Sequence, residues 1–253
     1  MLFDDESEVR AASVEFLRDG RRLGQRLIYA GNAGEEELRE DIAGLPGLDR
    51  LLVDGSLELV SLPELYPVGE PIDPEAQVAT YAAATEEALA DGYTGLRVAA
   101  EATSLATEPE YWEALTRYES VVDHYMATNP CAAMCCYDRR AVPEHVVSDL
   151  SCVHPAATAN ERIAPFRLFS RPGALMLAGK VDRHSVEDLD RLLALVPRGR
   201  RETVLDLSLL ESIDDQALIS LAERAGARGG GGLRLVGAQA RVLRRAELPS
   251  KEL

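Results

Sequence analysis

The sequence has no run of about 18 apolar residues, so nothing in it reads as a helix that crosses a bilayer. Cysteine is scarce: Cys131, Cys135, Cys136 and Cys152 are too few and too clustered for a secreted disulfide scaffold. Positive charge is also short. There are 27 Lys+Arg against 43 Asp+Glu, a net charge of −16, which repels nucleic acid phosphates at long range and excludes that class of partner. Met1 to Glu8 is acidic and lacks the basic start and apolar stretch of a secretory signal, so a cytoplasmic location is the expectation. Internal repeats and long low-complexity tracts are absent too.

What is present suits folded domains. Hydrophobic residues make up 46% of the 253, enough for ordinary cores in one large domain or two modest ones. The charge divides unevenly. Residues 1–160 carry 30 acids and 11 bases, a net of −19, whereas residues 161–253 carry a net of +3. With the small, weakly patterned stretch Pro155 to Asn160, this implies two units, 1–158 and 164–253.

Strand-like and helix-like segments alternate. Gln25–Ala30 reads as a strand, followed by the Gly31–Gly34 loop and a helix over Glu35–Ile42 with acids in its first turn. Leu57–Leu62 is a second strand, Pro63–Pro74 a loop, and Glu75–Ala90 an alanine-rich helix stopped by Gly92. Gly95–Ala100 is a third strand. Pro109–Thr128 is a long helix with Tyr111, Leu115, Tyr118, Val122 and Tyr125 at three-to-four spacing. Cys131–Tyr137 is a continuous apolar run typical of a buried parallel strand, and Pro143–Val153 is a helix. This order predicts a mostly parallel sheet with helices on both faces. Beyond residue 160, strands Phe166–Ser170 and Leu175–Val181 flank an Arg171–Gly173 turn. A helix over Ser185–Leu195 has Ser185 as its N-cap. Strand Thr203–Leu207, helix Asp214–Ala227, the Gly229–Gly232 loop, strand Leu233–Val236 and a short terminal helix complete a small α/β unit.

The stretch Thr203-Val-Leu-Asp-Leu-Ser-Leu-Leu-Glu-Ser-Ile-Asp-Asp-Gln-Ala-Leu218, with Leu233–Gly237 and Val242–Leu248 downstream, resembles the STAS family of anti-sigma factor antagonists over about residues 164–248. In that family a strand leads into a hydrophobic-Asp-Ser-Ser-Gly-Leu turn that opens a helix. A partner kinase phosphorylates a hydroxyl there, and the added charge breaks the complex. The resemblance implies partner contact through Asp214, Asp215 and Gln216, with an anti-sigma factor or histidine-kinase-like ATPase as partner. Asp215 and Gln216 stand where two serines are usual, and Gln216 cannot accept a phosphoryl group. Ser208 and Ser212 are out of register, so the usual serine switch is expected to be absent. Helix capping is the plain structural role for one of the two aspartates.

Phe16–Gly20, Gly24–Tyr29, Gly92–Glu101, Ala133–Arg140 and Cys152–Pro155 resemble the MEDS sensory domain over about residues 1–155. The resemblance implies a core like the P-loop ATPase fold of recombinases, and a role in sensing small organic molecules or transmitting a signal. A phosphate loop needs glycines, a lysine and Ser/Thr at fixed spacing. Here Gly31-Asn-Ala-Gly34 runs into three glutamates without a lysine, so the core is expected without its phosphate loop.

Ligands of open α/β sheets sit beyond the carboxyl ends of the strands. Glu101, Thr103, Tyr137, Asp138 and Arg139 fall there and are the ligand-site candidates; surface pairing of Asp138 with Arg139 and packing of Tyr137 are the plainer alternatives. The cysteines and His154 lack a Cys-x-x-Cys pair, and adjacent Cys135 and Cys136 diverge on a strand. Core packing is expected rather than a metal site, with redox sensing left open. No cofactor is expected. No catalytic pair or triad is evident, so the leading reading is a non-catalytic signalling regulator. The alternatives are a degenerate nucleotide-binding or hydrolysing enzyme using Glu101, and a structural docking component.

Overall fold

A computed structural model describes residues 1–66, 69–158, 162–196, 203–226 and 233–237, without the side chains of 224–226. The chain divides into two compact units, Met1–Val147 and Ser148–Leu253.

In the first unit the elements follow in the order β1 (Leu2–Phe3), α1 (Glu6–Arg22), β2 (Arg26–Gly31), α2 (Glu35–Asp41), α3 (Leu48–Val53), β3 (Leu57–Ser61), α4 (Leu62–Leu65), α5 (Pro74–Ala90), β4 (Leu96–Glu101), α6 (Trp112–Met126) and β5 (Cys131–Asp138). Helix α7 (Glu144–Cys152) spans the division. The five strands form one sheet in the order β1-β5-β4-β2-β3, every pair parallel. The α/β expectation therefore holds.

Three elements escaped the sequence reading. Strand β1 has two residues, and α3 is a short helix between turns. Helix α1 is longer, with Asp5 accepting from the Ser7 backbone N–H at 2.7 Å as its N-cap and Val9, Ser13, Leu17 and Gly20 turned inward. Its inward stripe follows the three-to-four spacing of a helix, although Ser13 and Gly20 dilute its apolar character. The expected Pro63–Pro74 loop holds the single turn of α4. The expected Pro109–Thr128 helix opens with a 3₁₀ turn over Pro109–Tyr111 before α6 begins.

Alternation along the strands separates two cores. Leu27, Tyr29 and Ala99 pack with Leu17 of α1, Leu38 of α2, Ile42 just after it, and Leu48 and Leu51 of α3. On the opposite face α5 and α6 bring together three buried phenols: Tyr66 OH lies 3.1 Å from Tyr81 OH and 3.0 Å from Tyr118 OH. Several motif residues are explained by one contact. The Arg97 guanidinium on β4 sits 4.3 Å over the Phe16 ring and donates to Gln25 at 2.7 Å, while Gly20 lets α1 pass against the Arg97 stem. Gly95 has φ +154° and abuts the Pro130 carbonyl, leaving no room for a Cβ.

In the second unit β6 (Phe166–Arg171) and β7 (Ala174–Val181) form an antiparallel hairpin. Helix α8 (Val186–Leu195), β8 (Thr203–Ile213), α9 (Asp215–Gly226) and β9 (Leu233–Val236) complete a four-stranded sheet, β6-β7-β8-β9, in which β8 runs parallel to β7 and β9. Leu189, Leu192, Leu205 and Leu221 are fully buried in its core. Arg191 on α8 grips Asp149 with two bonds of 2.6 and 2.7 Å.

One expectation here holds in position and one is corrected. Ser185 occupies the N-cap position, but no side-chain cap bond forms. Its hydroxyl faces Asp182, whose carboxylate accepts the His184 and Ser185 backbone N–H groups and is held below the usual carboxylate range by them. Strand β8 does not end at Leu207 but continues to Ile213, with two register shifts against β7, so Ser208 and Ser212 lie exposed on a strand rather than in a turn. The expected Gly229–Gly232 loop and Val242–Leu248 helix lie outside the described residues.

Candidate functional site

After β2 the chain pairs β3 on one side and β4 on the other, so the order reverses between β2 and β4. At such a point the connecting loops leave in opposite directions and open a crevice. A cleft of 270 Å³ occupies this position, with Gly31, Tyr29, Glu101, Thr103 and Asp138 among its lining residues. The backbone at Gly31 runs close beneath α2: an added Cβ would come within 2.8 Å of a Leu38 methyl, which would have to shift.

The polar groups of the cleft are tied to one another. Glu101 accepts from the Thr103 hydroxyl and, at 3.1 Å, from the Thr103 backbone N–H. The same hydroxyl accepts the Asp138 backbone N–H at 2.8 Å, so Thr103 fastens the ends of β4 and β5 together. Arg140 clamps the Asp138 carboxylate with bonds of 2.9 and 2.7 Å and holds it below the usual range. Across the cleft Asp41 accepts from Arg10 at 2.9 Å and from the buried Tyr29 phenol at 3.3 Å. Arg10, Asp41 and Tyr29 were missed by sequence reasoning because α1, α2 and β2 deliver them from separate segments. Arg140 was legible two residues after Asp138.

Three of the five ligand-site candidates, Glu101, Thr103 and Asp138, meet in this cleft. Tyr137 does not. It is 2% exposed and points to the opposite face, where its phenol donates to Glu119 of α6 at 2.6 Å. Arg139 lies outside on the surface, 3.8 Å from Asp4. Asp138 thus pairs with Arg140 and not with Arg139. Glu35, Glu36 and Glu37 fill the first turn of α2, where the helix dipole would otherwise draw an anion.

Cys135 and Cys136 do face opposite ways. The Cys135 thiol lies 3.9 Å from Glu119, whereas Cys136 packs with Phe3 and Val9. Burial raises all four thiols, Cys136 to about 11 and Cys152 to about 12, and so opposes the thiolate that redox sensing requires.

In the second unit Asp214 caps α9: one oxygen accepts the Ala217 backbone N–H at 2.9 Å and the other the Arg183 backbone N–H at 2.6 Å. Asp215 and Gln216, in the first turn beyond it, are exposed. The three motif residues therefore divide into one that organises the turn and two that face outward.

A family model described as "MEDS: MEthanogen/methylotroph, DcmR Sensory domain" matches residues 1–155, well over half of the sequence. The chain belongs to the MEDS family. A second, described as "Mlab, STAS domain", matches residues 166–249. A MEDS sensory domain followed by a STAS domain is the makeup of a signalling regulator, and no helix among the described residues is long and apolar enough to cross a membrane. No curated protein matches the chain.

Proposed function

We propose that this MEDS–STAS chain is a non-catalytic regulator of the cytoplasm. Its first domain senses a small molecule or partner at the carboxyl end of the parallel sheet, and its STAS domain binds an anti-sigma factor or a histidine-kinase-like ATPase. The observation that carries the reading is the start of α9. Asp214 is consumed by the fold, while Asp215 and Gln216 are exposed on the turn that STAS domains use for partners. The absence of catalysis is supported by the cleft itself, where Glu101, Thr103, Asp138 and Arg140 satisfy one another. Gln216 at the motif position supports control without the usual serine phosphorylation.

The test is co-purification from the native host with the full chain as bait, beside an Asp215→Ala, Gln216→Ala variant that leaves Asp214 in place. Capture of an anti-sigma-type ATPase by the parent and its loss from the variant supports the reading. Capture that ignores the variant, or no such ATPase at all, sinks it.

A further inference from the structure

Beyond the carboxyl ends of β2, β3 and β4 the first unit opens a second cavity, of 410 Å³, which meets the Glu101 cleft only at Asn32. That volume lies in the range of small-molecule sites. Its base is apolar and almost fully buried: Leu62 is 2% exposed, Tyr66 6% and Ile72 7%. The base is also fixed. Tyr66 OH is held by Tyr81 and Tyr118, and the Tyr66 and Tyr118 rings meet edge to face with centroids 5.9 Å apart.

The mouth has a different chemistry. Tyr111 presents a half-buried ring whose phenol is pushed up by desolvation and by the carboxylates of Glu110, Glu108 and Glu70. Glu70 and Glu108 are exposed, line the opening, and have no ion-pair partner among the described residues. No Lys, Arg or His is found among the lining residues. A rigid apolar base, an aromatic face and two uncompensated carboxylates complement a molecule with an apolar body and one positive charge. They oppose an anion by charge and favour a cation over a neutral molecule of the same shape.

We propose that this cavity is a binding site for a small organic cation, an amine whose hydrocarbon body packs on Leu62, Tyr66 and Ile72. Its ammonium sits between Glu70 and Glu108 against the Tyr111 ring. The site is separate from the Glu101–Thr103–Asp138 cleft, and its test does not depend on what the STAS domain binds.

The chain carries its own reporter. Trp112, its one tryptophan, follows Tyr111 and donates at 2.9 Å to the carbonyl of Ala106, in the turn Thr103–Ala106 that forms one wall. The full chain is titrated with 2-phenylethylammonium, 2-phenylethanol and phenylacetate, three probes of similar size and different charge. Trp112 fluorescence is read alongside saturation-transfer NMR of each probe. The expected result is saturable binding of the ammonium, about tenfold tighter than the alcohol, with phenylacetate weakest. A Glu70→Gln, Glu108→Gln variant, altered only at exposed positions and checked for fold by far-UV circular dichroism, brings the ammonium down about tenfold to the level of the alcohol. It leaves the alcohol unchanged. Any of three results overturns the proposal: no saturable ammonium binding in either readout, phenylacetate binding as tightly, or a ratio the double variant does not move.

Discussion

Asp214→Ala should destabilise the second unit although it removes no apolar surface. The carboxylate joins two elements: it caps α9 through the Ala217 N–H at 2.9 Å and pins the turn after β7 through the Arg183 N–H at 2.6 Å. Losing an N-cap costs about 1 kcal/mol. Losing a hydrogen bond to a charged acceptor costs about 1.5–3 kcal/mol, toward the lower end here because Asp214 is only partly buried. The sum is about 2–3 kcal/mol, or roughly a 10 °C fall in melting temperature for a unit of this size. The assay is urea and thermal unfolding of the full chain by far-UV circular dichroism, with hydrogen exchange at the Arg183 and Ala217 amides, both of which should exchange faster. Asp214→Asn keeps one acceptor oxygen and should lose about half as much. Asp215→Ala, at an exposed position, should stay within about 0.5 kcal/mol of the parent. If Asp214→Ala melts within that margin as well, or Asp215→Ala costs as much, the double tether does not hold the turn.

The thiols give a pH-dependent expectation. Folding raises their pKa values, with Cys136 at about 11 and Cys152 at about 12, so the folded state favours the neutral form. That contribution is complete below the ordinary thiol value of about 8.5, and it is lost as pH rises through the folded values. Urea melts should show stability declining between about pH 9 and pH 12. With Ellman's reagent at pH 8 the native chain should react at far fewer than its four thiols, and the urea-unfolded chain at all of them; fast native reaction at two or more contradicts the burial. Glycine substitutions probe the turn into β4. Gly95→Ala drives a Cβ into the Pro130 carbonyl and should cost about 3 kcal/mol, whereas Gly92→Ala, with φ +90° and open space, should cost about 1 kcal/mol. Equal costs in chemical denaturation would remove the close approach from the account.

Much of the fold was legible because its signals are local. The apolar run from Cys131 marked a buried strand, and the three-to-four spacing through Leu115, Tyr118 and Val122 marked α6. The separation of Tyr137 from Asp138 was legible too, since neighbours on a strand face opposite ways. The same period that split Cys135 from Cys136 sends Tyr137 to Glu119 and Asp138 to the cleft.

Other features have no local signal. A two-residue strand such as β1 exists only because β5 offers it an edge. The extension of β8 through Ser212 depends on its pairing with β7. The sequence by itself determined most of the elements, the mostly parallel character of the first sheet and the divided charge, because propensity, periodicity and composition act over a few residues. Only the tertiary structure decided that Arg10 and Asp41 face Glu101, that Asp214 is spent on Arg183 while Asp215 and Gln216 remain outside, and that Tyr66 and Tyr111 border one cavity. Those meetings depend on how distant segments cross, and crossing is set by packing over the whole sheet.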